Sequence, residues 1–428
     1  MRKKILRKNQ PYLPCEEHPM SLSGPNRNPA DCEPTYDEIQ QIQLDRLQRV
    51  RNELKKRDYA ACVLFDPTHM RYATGSRNMQ VYSARNPARY AFIPAEGPVV
   101  VFEFGGCLHL AEQLNTVDEV RPAKAISYYF CDSFLNNVTA EWAAEIGELV
   151  RQHGGGNKRV AIESATSAAA FELQKLGYQI FDAQEPLERA RCIKVPNELK
   201  MIRASLRATE AGVRLMESKL VPGISENELW SHLHQHVIAT DGDYVETRLL
   251  SSGPRTNPWF QECSTRPIEA GDLVALDTDV VGRFGYYADF SRTFLCGEQA
   301  ATAKQQELYK LAYEQVQTNM EMLKAGRSFK EYAELAWRIP DNYKANRYFA
   351  LAHGVGMTGE YPYVVHREDI DALGYDGVFE AGMTICVESY IGHDAGGEGV
   401  KLEEQIYIHE HGIELLSDYP FDPRLMPR

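Results

Sequence analysis

No two of the chain's nine cysteines form a CxxC pair. That absence removes the usual zinc-ribbon and redox frameworks, and an odd count fits poorly with a disulfide scaffold. Scattered cysteines of this kind suit reduced thiols in the cytoplasm. No stretch reaches the ~18 apolar residues that a membrane span requires. The basic opening MRKKILRKNQ runs into the polar, proline-broken PYLPCEEHPM, so the apolar part of a secretory signal is missing. Positive charge is in deficit: 47 Lys and Arg against 60 Asp and Glu leave a net −13. A nucleic-acid surface would need the opposite sign. Short-period repeats and low-complexity blocks are absent too. What is present is a chain of 428 residues, 43% apolar, with enough core-forming material for two or three domains.

Its organisation is that of an α/β protein. Residues 1–36, rich in Pro, Asn, Ser and charge, are expected to form an N-terminal arm. Residues 37–190 read as a first domain. In it EIQQIQLDRLQRVRNELKK places Ile39, Ile42, Leu47, Val50 and Leu54 on one helical face. AACVLF follows as a buried strand, and YAFIPAEGPVVVFEF as a hairpin turning at PAEGP. Helices near 138–153 and 166–176 flank a strand RVAIE. Pro196 and Asn197 punctuate the start of a second domain, 191–428. Helices are expected there at 197–218, 225–240, 302–324 and 328–338. The strands are DLVALDTDV, GYYADFSRTF, MTICVESY and GVKLEEQIYI.

These strands carry the chemistry. If 272–280 is one strand, alternation puts Asp277 and Asp279 on the same face. Two buried carboxylates so close would repel unless a cation joined them. VGRFG reads as a turn, and the returning YYADFSRTF brings Asp289 back towards the pair. In GVKLEEQIYI the apolar face takes Val400, Leu402, Glu404, Ile406 and Ile408. Glu403, on the other face with Lys401, is therefore the better site candidate. Glu388 ends an apolar run, and His353 in LAHGVGM supplies an imidazole. Five carboxylates and one imidazole exceed the needs of one divalent ion and suit two, bridged by shared carboxylates. Mn, Fe, Co and Zn all tolerate such donors.

The order Asp, Asp, His, Glu, Glu resembles the pita-bread metalloenzyme superfamily of methionine aminopeptidase, prolidase, aminopeptidase P and creatinase. The segments that carry the resemblance are GDLVALDTDVVGRFGYYADFSRTF, AHGVGM, GMTICVE and GVKLEEQIYI. It implies a creatinase-like N-terminal α/β domain followed by a pita-bread catalytic domain. The peptidases keep a histidine ahead of the first metal aspartate and another a few residues after the ligand histidine. Here SGPRTNPWFQECSTRPIEAGD and HGVGMTGEYP hold neither. Within the superfamily, FDPTHMRYATGSRNMQ, VETRLLSSGPRTNPWFQEC, TNMEMLKAG, YPFDPRLM and the second Asp of DTD resemble the dimethylsulfoniopropionate lyases.

That resemblance implies two divalent metals, commonly iron, on Asp277, Asp279, Asp289, His353, Glu388 and Glu403. It also implies a homodimer and a reaction that splits a small carboxylate substrate into dimethyl sulfide and acrylate. Trp259, Phe260, Tyr287 and Tyr361 are candidate substrate-binding aromatics, and Tyr348 matches a tyrosine of the lyase site. The aspartate proposed as base in the lyases stands six residues after the metal histidine, where this chain has Gly359. Glu360, Tyr348 or a metal-bound hydroxide would then take the proton, or the substrate differs. The alternatives are a C–N hydrolase of the Xaa-Pro peptidase or creatinase kind, and a non-catalytic binding protein. Gly359 itself reads as a backbone requirement for positive φ or a tight turn.

Overall fold

A computed structural model describes residues 33–426, so positions 1–32 of the expected arm lie outside the described residues. The first helix, Tyr36–Lys56, starts at a capping box in which Thr35 and Glu38 satisfy each other's backbone N–H groups. Its buried face carries Ile42, Leu47, Val50 and Leu54. A six-stranded sheet follows, in the order Glu119–Pro122, Val100–Glu103, Tyr90–Pro94, Ala61–Leu64, Arg159–Ile162 and Gln179–Asp182. Ala61–Leu64 lies inside this sheet and is buried at every position, because helices cover both faces. Trp142, Ile146 and Leu149 of Leu135–His153 close one face with Leu173 of Ser167–Lys175. The first helix and Pro67–Thr74 close the other.

The second half builds on the helices Glu198–Glu217, Glu226–Ala239 and Ala303–Met322. Its largest sheet runs Gly359–Val365, Ala350–Val355, Thr384–Gly392, Gly399–His409, Gly412–Leu415. The helix expected at 328–338 is shorter, Phe329–Leu335, because the chain turns away where the Trp337 N–H donates to Asn319 Oδ1 at 2.8 Å.

The segment 272–280 departs from expectation. It is not one strand. Leu273–Asp277 pairs with Ser291–Leu295 in one three-stranded sheet, whereas Val280–Val281 pairs with Tyr287–Ala288 in another. Between them Asp279 turns through a left-handed conformation, φ 41°. Thr278 fastens this crossing: its hydroxyl donates to the Ala288 carbonyl at 2.9 Å and accepts from the Phe290 N–H at 3.0 Å. Asp277 and Asp279 are therefore brought together by a kink between two sheets, not by strand alternation.

Arg292 ties this hairpin to the largest sheet. Its guanidinium is fully buried and donates to the Glu403 carbonyl at 2.8 Å and to Glu404 Oε1 at 2.8 Å. Glu404 thus faces an ion pair. Arg292→Met would leave Glu404 buried without its partner, and breaking such a pair costs about 3–5 kcal/mol. Chemical denaturation of the variant should show that loss at an unchanged m-value.

Candidate metal centre

Six side chains of the second half meet in one place. Glu388 and Glu403 face each other across neighbouring strands, and His353 is opposite Cys386 on the next pair. Directly opposed residues of an antiparallel ladder project to one face. His353 Nε2 lies 3.3 Å from Glu388 Oε1, 3.7 Å from Asp289 Oδ2 and 3.8 Å from Glu403 Oε1. Its Nδ1 is 3.0 Å from the Gly354 carbonyl, which fixes Nδ1 as the protonated nitrogen and leaves Nε2 for the cluster. Donor atoms of Asp277, Asp279 and Asp289 lie within 4.8 Å of one another, and so do those of Asp289, His353, Cys386 and Glu403. Asp289 belongs to both groups, so two adjacent positions share one carboxylate.

The electrostatics of the bare cluster are unfavourable. Burial and the neighbouring acids drive Asp289 and Glu403 well above the usual carboxylate range. Burial and Asp277 push Asp279 up to about 7, although Thr247 donates to it and Tyr287 Oη lies 2.9 Å away. Asp277 Oδ1, Asp289 Oδ1, Glu388 Oε1 and Glu403 Oε1 are buried with no hydrogen-bond partner among the described residues. Bare buried carboxylate oxygens of this kind are costly. An oxygen-rich set with one imidazole fits a pair of divalent cations, which would satisfy all four atoms at once.

Lys401 was not anticipated as a site residue. Its Nζ is fully buried and lies 2.6 Å from Glu388 Oε2, 3.0 Å from Glu403 Oε2, 3.2 Å from Asp277 Oδ2 and 2.7 Å from Ser291 Oγ. It engages one oxygen of each of three carboxylates and leaves the partner oxygen of each bare. Burial opposes its charge, but Asp277, Glu388 and Glu403 hold it protonated. The signal lay in the sequence: Lys401 is two residues from Glu403 and shares its strand face.

Aromatic rings wall the site. Lys401 Nζ lies 4.6 Å from the centre of the Tyr348 ring and 5.9 Å from that of Trp259. Phe260, more than half exposed, is 5.3 Å from Tyr348. Tyr363 lies parallel to His353 at 6.4 Å. Tyr287 Oη sits between Asp279 and Glu246 Oε2, the latter at 3.0 Å.

Three expectations need correction. Tyr361 is not at the site: its ring stacks on Tyr375 at 5.7 Å, meets Phe329 at 5.9 Å and lies under Arg189. Glu360 is no free base: its buried carboxylate is held between Lys194 and Arg191, the latter at 3.2 Å. Gly359 does not need glycine's backbone freedom. It begins a strand outside the positive-φ residues, and a Cβ there would meet no atom of the described residues within 4 Å.

Glu360 belongs to a buried chain of alternating charges. Arg191 continues to Glu188 at 3.3 Å, Glu188 to His69 Nε2 at 3.5 Å, and His69 Nδ1 to Glu163 at 2.5 Å. Arg191 also donates to Thr358 at 2.9 Å, and the Tyr361 N–H to Glu188 at 2.8 Å. The first domain thereby grips the hairpin that carries Gly359. Burial would strip His69 of its proton, but Glu163 and Glu188 outweigh it and push the ring up to about 9.

The chain's relatives are metalloenzymes. Residues 200–410 match the metallopeptidase family M24, and residues 46–193 match the creatinase/prolidase N-terminal domain. A dimethylsulfoniopropionate lyase of Roseovarius nubinhibens is 36% identical over 396 residues, 91% of this chain and 89% of that protein. Another, of Roseobacter denitrificans, is 38% identical over 387 residues, 89% of this chain and 86% of its own length. Among solved structures, the prolidase of Pyrococcus horikoshii superposes with a TM-score of 0.70 at 21% identity, covering 88% of this chain and 99% of its own. At that identity the likeness establishes the fold.

Lys401→Met should lower the melting temperature of metal-free protein more than that of metal-loaded protein, since added cations can take over its neutralising role. Lys401→Arg should restore most of the metal-free loss. For the charge chain, His69 has a folded value above its unfolded ~6.5. Its contribution is therefore complete below about pH 6.5 and is lost as pH rises through about 9, to the extent of about 3 kcal/mol. Thermal melts should fall over that window, and His69→Gln should flatten the fall.

Proposed function

The chain belongs to the pita-bread metalloenzyme superfamily, in the branch of the dimethylsulfoniopropionate lyases, and from that premise we propose that it is a metal-dependent C–S lyase of dimethylsulfoniopropionate or a closely related sulfonium carboxylate. The observation that carries this reading is Asp279, half-buried in one group with the buried Asp277 and Asp289 and with Tyr287 Oη 2.9 Å away. Asp277, Asp279, Asp289, His353, Glu388 and Glu403 are the proposed ligands of two divalent cations, read as iron, in a cytoplasmic homodimer. When bound, the cations supply Lewis acidity that draws on the substrate carboxylate and acidifies the adjacent C–H bond.

The chain's own residues do the rest. Trp259, Phe260 and Tyr348 offer ring faces to the sulfonium by cation–π attraction. Tyr287, shared between Asp279 and Glu246, orients that aspartate. Loss of the α-proton lets the C–H electron pair form the new double bond, while the C–S pair departs with sulfur as neutral dimethyl sulfide. In the bare cluster burial and the surrounding acids drive the phenols of Tyr348 and Tyr287 well above their ordinary value, so neither takes the proton unless bound cations offset those acids. Glu360 is tied up by Lys194 and Arg191. In this reading the proton passes to solvent, since Gly359 carries no acceptor of its own.

A C–N hydrolase could use the same ligand set. The missing histidines of SGPRTNPWFQECSTRPIEAGD and HGVGMTGEYP weigh against it.

Headspace analysis should detect dimethyl sulfide from enzyme supplied with Fe²⁺, Mn²⁺, Zn²⁺ or Co²⁺. Gly359→Asp, which the open space accommodates, should raise turnover by about 10²–10⁴-fold, the usual worth of a positioned base. Silence from both proteins with every metal, alongside turnover of Xaa-Pro dipeptides, would replace the lyase reading with the hydrolase.

A further inference from the structure

The two positions sharing Asp289 are chemically unlike. Asp277, Asp279 and Asp289 offer oxygen alone, whereas Asp289, His353 and Glu403 are joined by the thiol of Cys386. Cys386 is fully buried and stands two residues before Glu388 on the same strand, so both side chains take the same face. It also lies directly across from His353 in the neighbouring strand. Its sulfur, the imidazole nitrogen and the two carboxylates fall within 4.8 Å of one another, a spread that one cation can span with bonds of ~2.0–2.3 Å. Asp289 Oδ1 and Glu403 Oε1 supply an independent sign of a ligand there, being buried carboxylate oxygens with no partner among the described residues. A buried cysteine can also serve as a small apolar filler, and Sγ lies 3.6 Å from the Asp289 carbonyl. That carbonyl is a weak partner and does not account for the convergence of nitrogen, sulfur and two bare carboxylates.

We infer that Cys386 is a metal ligand, making the His353 position a nitrogen–sulfur–oxygen site for a thiophilic divalent ion while the three-aspartate position takes a harder one. The sulfur–metal bond replaces the S–H bond, and the proton leaves to solvent. Soft thiolate favours Zn²⁺, Fe²⁺, Co²⁺ and Cd²⁺ over Mn²⁺ and Mg²⁺. The inference rests on the proposed two-metal centre and extends it to a seventh ligand and an ordered pair of unlike metals.

Cobalt reads it directly. Full-length protein titrated with Co²⁺ should gain the near-ultraviolet sulfur-to-cobalt charge-transfer band, and Cys386→Ser and Cys386→Ala should lose it while still binding cobalt. Outer-shell partners alone are worth about 10–100-fold in metal affinity, so either variant should bind Cd²⁺ at least about tenfold more weakly while Mn²⁺ affinity changes little. Bound cobalt without the band in the wild-type protein would overturn the role of Cys386 and leave the two-metal centre standing. The same band in the variants would also overturn it. Failure to bind any divalent ion would overturn both. Should the variants not fold, the wild-type spectrum still decides.

Discussion

Five carboxylates buried within a few ångströms of each other cannot all stay charged without cations beside them, and the second half of the molecule is arranged around that constraint. Asp277, Asp289, Glu388 and Glu403 each keep one oxygen without a hydrogen-bond partner among the described residues. Lys401 takes the other oxygen of three of them. The division is orderly: a permanent ammonium backs one side of the cluster, and the bare oxygens of Glu388 and Glu403 face His353. With two divalent ions on that side, the five acids and the ammonium come to neutrality, and a Cys386 thiolate would add a single negative charge. The burial that would make the empty cluster repel itself also makes it selective for small, multiply charged cations.

Holding such a cluster together demands a rigid frame, and the frame comes from where the sheets change partners. The chain leaves one sheet at Asp277 and enters another at Val280, and returns through the same gap at Asp289. Thr278 clamps the crossing, and Arg292 bolts the returning strand to the strand of Glu403. A regular ladder would space side chains evenly along one face. The break gathers three aspartates more tightly than a ladder does, with Asp279 held in a left-handed conformation. Non-glycine residues adopt that conformation at a cost, and such sites gather where function requires them.

Much of this was legible in the sequence, and the misses have physical causes. The order of acids and histidine marked the segments that meet through its resemblance to the pita-bread superfamily, and Glu388 stands at the end of an apolar run. Alternation also separated Glu403 from Glu404, and the structure puts Glu404 on Arg292 instead of in the cluster. Alternation failed at Asp277 and Asp279, because a change of sheet within three residues leaves no mark in apolar patterning. Lys401 shares the polar strand face with Glu403, but a lone lysine in a strand is usually a solvated charge, and only three-dimensional convergence shows what surrounds it. Glu360 is a candidate by its nearness in sequence to Gly359, and Tyr361 by its aromatic ring, and neither ground fixes where the side chain goes. A hairpin with register shifts between Ala350 and Gly354 carries both away, one to Lys194 and the other to an aromatic cluster around Phe329.

The hairpin is held from behind as well as by its own ladder. Its position depends on buried charges that reach into the first domain: Glu360 on Arg191 and Lys194, Glu188 under the Tyr361 N–H, His69 and Glu163 behind them. None of these contacts involves the side chain at 359. Breaking the chain would move the hairpin and disturb the site, so substitutions there face a stability penalty. Residue 359 faces open space in an extended conformation, so a Cβ there would meet no atom of the described residues within 4 Å. The clustered acids and the grip on the hairpin are therefore held by packing, whereas position 359 is left nearly unconstrained. A Cβ at that one position would leave the acidic cluster and its frame as they are.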